Sequence, residues 1–218
     1  MREIFREEER QLSLVYEALL RNIADSKRVS GELARQLYSE RIIHAQNPSL
    51  IHPYLKILMD IGILEKIKIF NRRMYHYYHA SPVADLYYYL DAKYGYTERA
   101  TPKEQLMKTL RERMPHHIEQ FIANLLAKTL GLYREKIVEK EWEIDIALTD
   151  YQRLRMVAEV KWKINPTTKE IQRIEEKLSR YRCQKILIVP NKETIDHKPR
   201  DIEIWDINTI INKLKTRK

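Results

Sequence analysis

Three charged residues, Asp145, Glu159 and Lys161, stand in two short β-like segments, Glu143–Leu148 and Met156–Lys163. Side chains alternate between the faces of a strand, so Glu159 and Lys161 share one face. A hairpin would bring Asp145 beside them. Two carboxylates and an ammonium group on one sheet face suit a divalent cation that holds a phosphodiester, so the pattern predicts phosphodiester hydrolysis.

The expected roles in this site follow from the chemistry of each group. Asp145 and Glu159 would bind Mg²⁺ (or Mn²⁺), with the Val160 carbonyl as a third ligand. Lys161 would either position the attacking water or clamp the phosphate. Glu143 shares a face with Asp145 and is an alternative ligand, or a group that supports the ligands.

A further carboxylate is available on the helix that precedes these strands. Glu119 lies in a segment that is otherwise apolar at Ile118, Ile122 and Leu125–Leu126. We interpret it as a third metal-binding and catalytic carboxylate, the alternative being a solvated helix residue.

Elements on both sides must position these residues. Before them, the apolar spacing predicts helices over 101–113 and from Pro115 to Gly131; three strands follow, over 132–139, 141–149 and 154–162. After them come a helix over 167–181, strands over 185–190 and 202–207, and a terminal helix to about 215. This order predicts an α/β (α+β) domain with a mixed sheet over residues 104–218.

The first 95 residues follow a different pattern. Helices are expected over 7–24, after an N-cap at Ser30, and within 47–61 up to Gly62; two strands over 63–69 and 73–79 and a helix over 82–94 follow. Three helices and a two-stranded wing predict a winged helix-turn-helix domain, joined through a polar linker at 96–103. Ser49, His52 and Lys56 on its third helix, with Arg72 and Arg73 at the wing tip, are the predicted DNA contacts. Winged helices also serve as protein-interaction or dimerisation modules, which is the alternative.

Composition agrees with an anionic partner. The net charge is +9, of which +7 lies in residues 96–218. Nucleic acid is the usual partner of such a balance, and a generic basic surface is the alternative. One cysteine, no signal-like start and no long apolar run predict a cytoplasmic protein without a membrane contact. Four glycines and abundant Ile, Lys and Glu are typical of thermophiles.

The arrangement of a helix Glu119, a strand Asp145 and then Glu159-Val160-Lys161 resembles the PD-(D/E)XK nuclease superfamily, although Ile144 stands where its name has proline. The resemblance implies a restriction-endonuclease-like fold, as in archaeal Holliday junction resolvases. It also implies Mg²⁺-dependent cleavage of DNA, possibly structure-specific, and a homodimer.

A second resemblance covers nearly the whole chain. Four segments are similar to the region that follows the motor in archaeal P-loop ATPases: Ser49–Lys66, Arg73–Gly95, Trp142–Leu148 and Ala158–Lys163. In that family a winged helix precedes a nuclease-like domain. No Walker A motif is present here, so a separate ATPase partner is implied. The competing hypothesis to a nuclease is a non-catalytic DNA-binding regulator, or an adaptor of such an ATPase.

Overall fold

The computed structural model describes residues 2–163, 165–195 and 197–215, and of residues 2–11 and 214 the backbone alone. The chain divides into two compact units. The amino-terminal unit comprises Met1–Ile67 and Arg73–Arg113, and the carboxy-terminal unit comprises Lys68–Arg72 and Met114–Lys218. The mixed α/β class predicted from the sequence is confirmed.

The amino-terminal unit is mainly helical. Its elements are α1 (Arg2–Ala24), α2 (Ser30–Ser39), a 3₁₀ turn (Pro48–Leu50), α3 (His52–Asp60), β1 (Leu64–Ile69), β2 (Tyr75–His79) and α4 (Pro82–Tyr94). Leucine and isoleucine side chains of α1, α2 and α3 bury one another in a single core, which Leu64 and Tyr77 close. Gly62 ends the turn after α3 at φ 75°, a backbone conformation that side chains disfavour.

Two local predictions in this part of the chain are wrong. Ser30 is the first residue of α2 rather than its N-cap; Val29 takes the cap position and makes no side-chain capping bond. The predicted break at Pro115 is absent, because α5 runs without interruption from Lys103 to Leu130. Proline removes the hydrogen bond to the carbonyl of Arg111, but Arg111 lies on an exposed stretch where water can satisfy that carbonyl. A linker was predicted at 96–103; residues 95–102 connect α4 to α5, and the division between the units lies further along the chain.

The carboxy-terminal unit contains a mixed sheet. Its strands are β3 (Tyr133–Val138), β4 (Glu143–Asp150), β5 (Arg153–Val160), β6 (Gln184–Ile188) and β7 (Glu203–Trp205). β3, β4 and β5 are antiparallel neighbours, whereas β6 and β7 continue the sheet in parallel. The last residues of β1 pair in parallel with β3.

Helices cover both faces of this sheet, which explains the apolar runs in its strands. Ile122 and Leu126 of α5, with Ile210 of α7 (Ile207–Lys215), pack on one face. Ile171, Ile174 and Leu178 of α6 (Thr168–Leu178) pack on the other. Burial on both faces makes β4 and β5 rigid supports for any polar group that they carry. Among the described residues no helix has the length and apolarity to cross a membrane.

Candidate active site

Asp145 and Glu159 stand on neighbouring strands, one step beyond the last paired residues Ile146 and Ala158. Here the carboxylates take over the role of backbone acceptors. The Val160 amide donates to Asp145 Oδ2 at 2.9 Å, and the Asp145 amide donates to Glu159 Oε1 at 3.4 Å. Each side chain is therefore held by the opposite strand, and the two acids are brought together as the sequence predicted.

Both carboxylates have raised pKa values because they lie away from water. Glu159 is 1% exposed, and Asp145 is half-buried. Desolvation, reinforced by the Glu119 charge, raises the pKa of Asp145 to about 6. Desolvation, reinforced by the Asp145 charge, raises the pKa of Glu159 to about 7. Where water is scarce, two neighbouring negative charges repel each other. The site therefore favours the binding of a proton, or of a metal cation in its place.

Lys161 lies one residue past β5, and its amide donates to the Ile188 carbonyl at 2.8 Å, continuing the ladder with β6. Its positive charge lowers the pKa of both Asp145 and Glu159 against the effect of burial. The lysine is thus close enough to act on both carboxylates. Its position just outside the strand differs from the predicted one inside it.

Glu119 lies on α5, partly buried, with His116 Nδ1 at 3.6 Å from its Oε2 atom. Its negative charge is the second largest cause of the raised pKa of Asp145. The helix therefore adds a third acidic group to the electrostatics of the site. Glu143, the alternative ligand, is exposed, and its carboxylate pairs with the Lys136 ammonium group.

Lys177 of α6 is a site residue that the sequence reasoning missed. Its ammonium group donates to Glu159 Oε1 at 2.7 Å and to the Glu143 carbonyl at 2.6 Å. The only sequence signal is its spacing: Lys177 stands three residues after Ile174 and directly before Leu178, at the edge of the buried helix face. Such a lysine can reach under the helix towards the sheet.

The donor set is compatible with a hard divalent cation. Within the ranges that the structure describes, no three His, Cys, Asp or Glu side chains already converge on one point. Mg²⁺ needs only one or two carboxylates, because water and phosphate oxygens complete its shell. The carboxylates of Asp145 and Glu159, each with a raised pKa, meet that requirement.

The predicted DNA-contacting residues are exposed, and three of them are brought together. His52 and Lys56 of α3 and Arg73 line a groove of about 470 Å³ in the amino-terminal unit. Ser49 lies outside this lining, in the 3₁₀ turn, where its amide donates to Asn47 Oδ1 at 3.0 Å. Arg72, in the carboxy-terminal unit, pairs with Glu139 at 3.3 Å.

One further cation in this groove was not foreseen. Lys66 of β1 lines the groove, with its ammonium group 4.8 Å from the centre of the Tyr75 ring. The signal that could have identified it is the end of β1, where buried Ile67 and Ile69 alternate with Lys66 and Lys68.

Comparison with known proteins finds no family model, no curated protein and no solved structure that matches this chain. A function can therefore be proposed on the carboxylates of Asp145 and Glu159, the two lysines beside them and the basic groove.

Proposed function

We propose that the protein is a metal-dependent DNA endonuclease. Its carboxy-terminal unit hydrolyses phosphodiester bonds, and its amino-terminal unit binds DNA as a winged helix. The observation that carries this proposal is the pair of carboxylates on adjacent strands, half-buried Asp145 and buried Glu159, with Lys161 beside them. Burying two like charges disfavours folding, and a site that binds a cation and a phosphate gives a reason for that cost.

Asp145 and Glu159 would hold Mg²⁺, or Mn²⁺ in its place, with Glu119 as a further carboxylate donor. When bound, the cation would neutralise phosphate charge and lower the pKa of a bound water. This fits the raised pKa values of both acids, because a divalent cation relieves the repulsion that burial imposes.

The chain's own groups have separate tasks in this proposal. The Val160 amide fixes the Asp145 carboxylate, and the Asp145 amide fixes that of Glu159, so neither acid has to be ordered when substrate arrives. The Lys161 ammonium group stabilises negative charge on the phosphate oxygens, or orients the attacking water. Both tasks need the rigid end of β5 that the Ile188 bond supplies.

The amino-terminal unit supports DNA as the substrate. Its order of three helices and two strands is that expected for a winged helix, and α3 presents His52 and Lys56 to solvent. In this proposal α3 enters the major groove, while Ser49, Arg72 and Arg73 contact phosphates. The groove that joins His52, Lys56 and Arg73 gives this surface a basic character.

A cleavage panel tests the proposal. Single-stranded, duplex, flap and four-way-junction DNA are incubated with the full chain, with and without Mg²⁺. Cutting is expected only with the metal, and Asp145→Ala or Lys161→Ala should abolish it while DNA binding persists. Asp150→Ala is the matched control, because Asp150 lies on the same strand and pairs with Arg155 at 2.7 Å on the surface. If both site variants cut like wild type, the site assignment is wrong.

One observation favours a second function. The Lys177 ammonium group already pairs with Glu159 at 2.7 Å, as it would in a site that no longer binds a metal. The protein would then be a non-catalytic DNA-binding regulator, or an adaptor of a separate ATPase. This alternative predicts DNA binding without cleavage in any metal, and co-purification would test the ATPase partner.

A further inference from the structure

Lys177 is held in place by the helix that carries it. α6 begins with a capping box, in which Thr167 and Glu170 bond each other's backbone amides. Ile171, Ile174 and Leu178 then bury one side of the helix against the sheet. Residue 177 lies in the last turn of this anchored helix, so its side chain starts from a fixed point.

The ammonium group of Lys177 bridges the two strands of the site. It binds the Glu159 carboxylate of β5 at 2.7 Å and the Glu143 carbonyl of β4 at 2.6 Å, two residues before Asp145. The Lys177 side chain is 23% exposed and that of Glu159 is 2% exposed. A lysine in this position acts as a cation that the protein itself supplies.

We propose that Lys177 is the resident counter-ion of the site, which neutralises Glu159 when no divalent cation is bound and competes with that cation for the carboxylate. The inference rests on the proposed metal-dependent function. An ammonium group bound to a ligand oxygen repels an incoming divalent cation, and the repulsion is strong where water is scarce. Metal binding therefore requires Lys177 to release Glu159.

A solely structural role for Lys177 predicts something different. In that case its removal would leave metal affinity unchanged, or weaken it through a misplaced Glu159. Competition predicts that removal strengthens metal binding, although it deprives the metal-free protein of a buried ion pair. The sign of the change in metal affinity separates the two roles.

Binding of Mn²⁺ to the full chain, followed by electron paramagnetic resonance at about pH 8, tests this sign. Lys177→Met and Lys177→Gln should each bind Mn²⁺ about tenfold more tightly than wild type or better. Lys177→Arg, which keeps the charge, should remain close to wild type. Lys169→Met is the matched control, because Lys169 is an exposed lysine on the same helix, and it should bind like wild type.

Thermal unfolding supplies the second readout. In EDTA, Lys177→Met should unfold at a lower temperature than wild type, because Glu159 loses its counter-ion. Saturating Mn²⁺ should raise its unfolding temperature more than that of wild type. Lys177→Gln keeps a hydrogen-bond donor and carries the test if the methionine variant does not fold.

Two contrary results are distinguishable. If wild type binds Mn²⁺ and cuts DNA, but neither uncharged variant binds Mn²⁺ more tightly, the counter-ion inference is overturned and the proposed function stands. If neither wild type nor the uncharged variants bind Mn²⁺, both the inference and the metal-dependent function are overturned.

Discussion

Two acidic side chains of the amino-terminal unit and two of the carboxy-terminal unit are at least half-buried, but their surroundings differ. In the amino-terminal unit, Asp85 and Asp91 are 5% and 7% exposed. Arg113 Nε and His79 Nδ1 each lie 3.1 Å from Asp85. Burial alone would raise the pKa of Asp91, but hydrogen bonds from Thr97 and the guanidinium group of Arg21, at 2.7 Å, lower it below the usual value.

In the carboxy-terminal unit, the partners of Asp145 and Glu159 do not compensate for burial. One backbone amide for each acid, the Lys177 bond to Glu159 at 2.7 Å and the charge of Lys161 lower these pKa values only in part, so they remain raised to about 6 and about 7. The pairs differ in their charged neighbours: Asp85 and Asp91 each pair with an arginine, whereas desolvation and the charges of Glu119 and Asp145 raise the pKa values in the second pair. Asp85 and Asp91 stabilise the fold, whereas Asp145 and Glu159 still favour a bound cation.

The largest expected effect is a difference in DNA cleavage rate between variants of the two pairs. Asp145→Asn and Glu159→Gln should each lower the rate of Mg²⁺-dependent DNA cleavage by about 1000-fold or more, because each removes a charged metal ligand. Asp91→Asn, assayed well below its unfolding temperature, should cut at nearly the wild-type rate. Equal losses in all three variants would contradict the division of roles.

The effects on stability should have the opposite order: a variant of the first pair should lose stability, and a variant of the second should not. Asp85→Ala leaves the Arg113 charge without its carboxylate, so the free energy of unfolding should fall by about 3–5 kcal/mol. Asp145→Asn removes a negative charge that repels Glu119 and Glu159, so in EDTA near pH 7 that free energy should stay the same or rise. Urea unfolding of the metal-free proteins measures both, and a clear loss for Asp145→Asn would break the comparison.

The pH dependence of stability gives a finer test. In the folded protein both acids titrate above their ordinary range, so their contribution is fully present below about pH 4 and is lost as the pH rises through about 6 and 7. The free energy of unfolding should fall by on the order of 5 kcal/mol between pH 4 and 8 relative to the Asp145→Asn, Glu159→Gln double variant. Saturating Mg²⁺ should abolish this pH dependence. If the two proteins differ by the same free energy of unfolding at every pH without metal, the raised pKa values are contradicted.

The smallest effect concerns the groove of the amino-terminal unit. Lys56→Ala and Arg73→Ala should each weaken duplex binding only a few-fold and lower the salt dependence of binding by about one ion. Fluorescence anisotropy at several salt concentrations measures both quantities. Lys93→Ala serves as the control, because Lys93 is an exposed lysine of α4 outside that groove. Loss of binding by this variant as well would indicate a diffuse basic surface.

The strands of the site could be predicted because their pattern is local. β4 and β5 are apolar segments joined by a short turn, and a hairpin fixes which residues face each other. Asp145 and Glu159 therefore meet as predicted. Lys161 lies at a strand end, where the alternation of one strand no longer determines direction, and the bond to Ile188 on β6 fixes its backbone instead.

The position of Lys177 and the continuity of α5 could not be predicted from a local pattern. Lys177 reaches Glu159 because α6 settles on the sheet through Ile171, Ile174 and Leu178, and the rotation of a helix over a sheet depends on the whole core. The continuity of α5 through Pro115 likewise depends on tertiary packing, since Ile122 and Leu126 anchor the helix beyond the proline. Local propensity yields to such packing.

The central claim is that Asp145 and Glu159 form a cation site. Carbon-13 NMR of the side-chain carboxylates tests it most directly, with spectra recorded from about pH 4 to 9 with and without Mg²⁺. Asp145→Asn and Glu159→Gln assign the two signals. Without metal the midpoints should lie near the raised pKa values of about 6 and about 7, and Mg²⁺ should move both to lower pH. Midpoints in the ordinary carboxylate range, or midpoints that Mg²⁺ leaves unchanged, would contradict a cation site at Asp145 and Glu159.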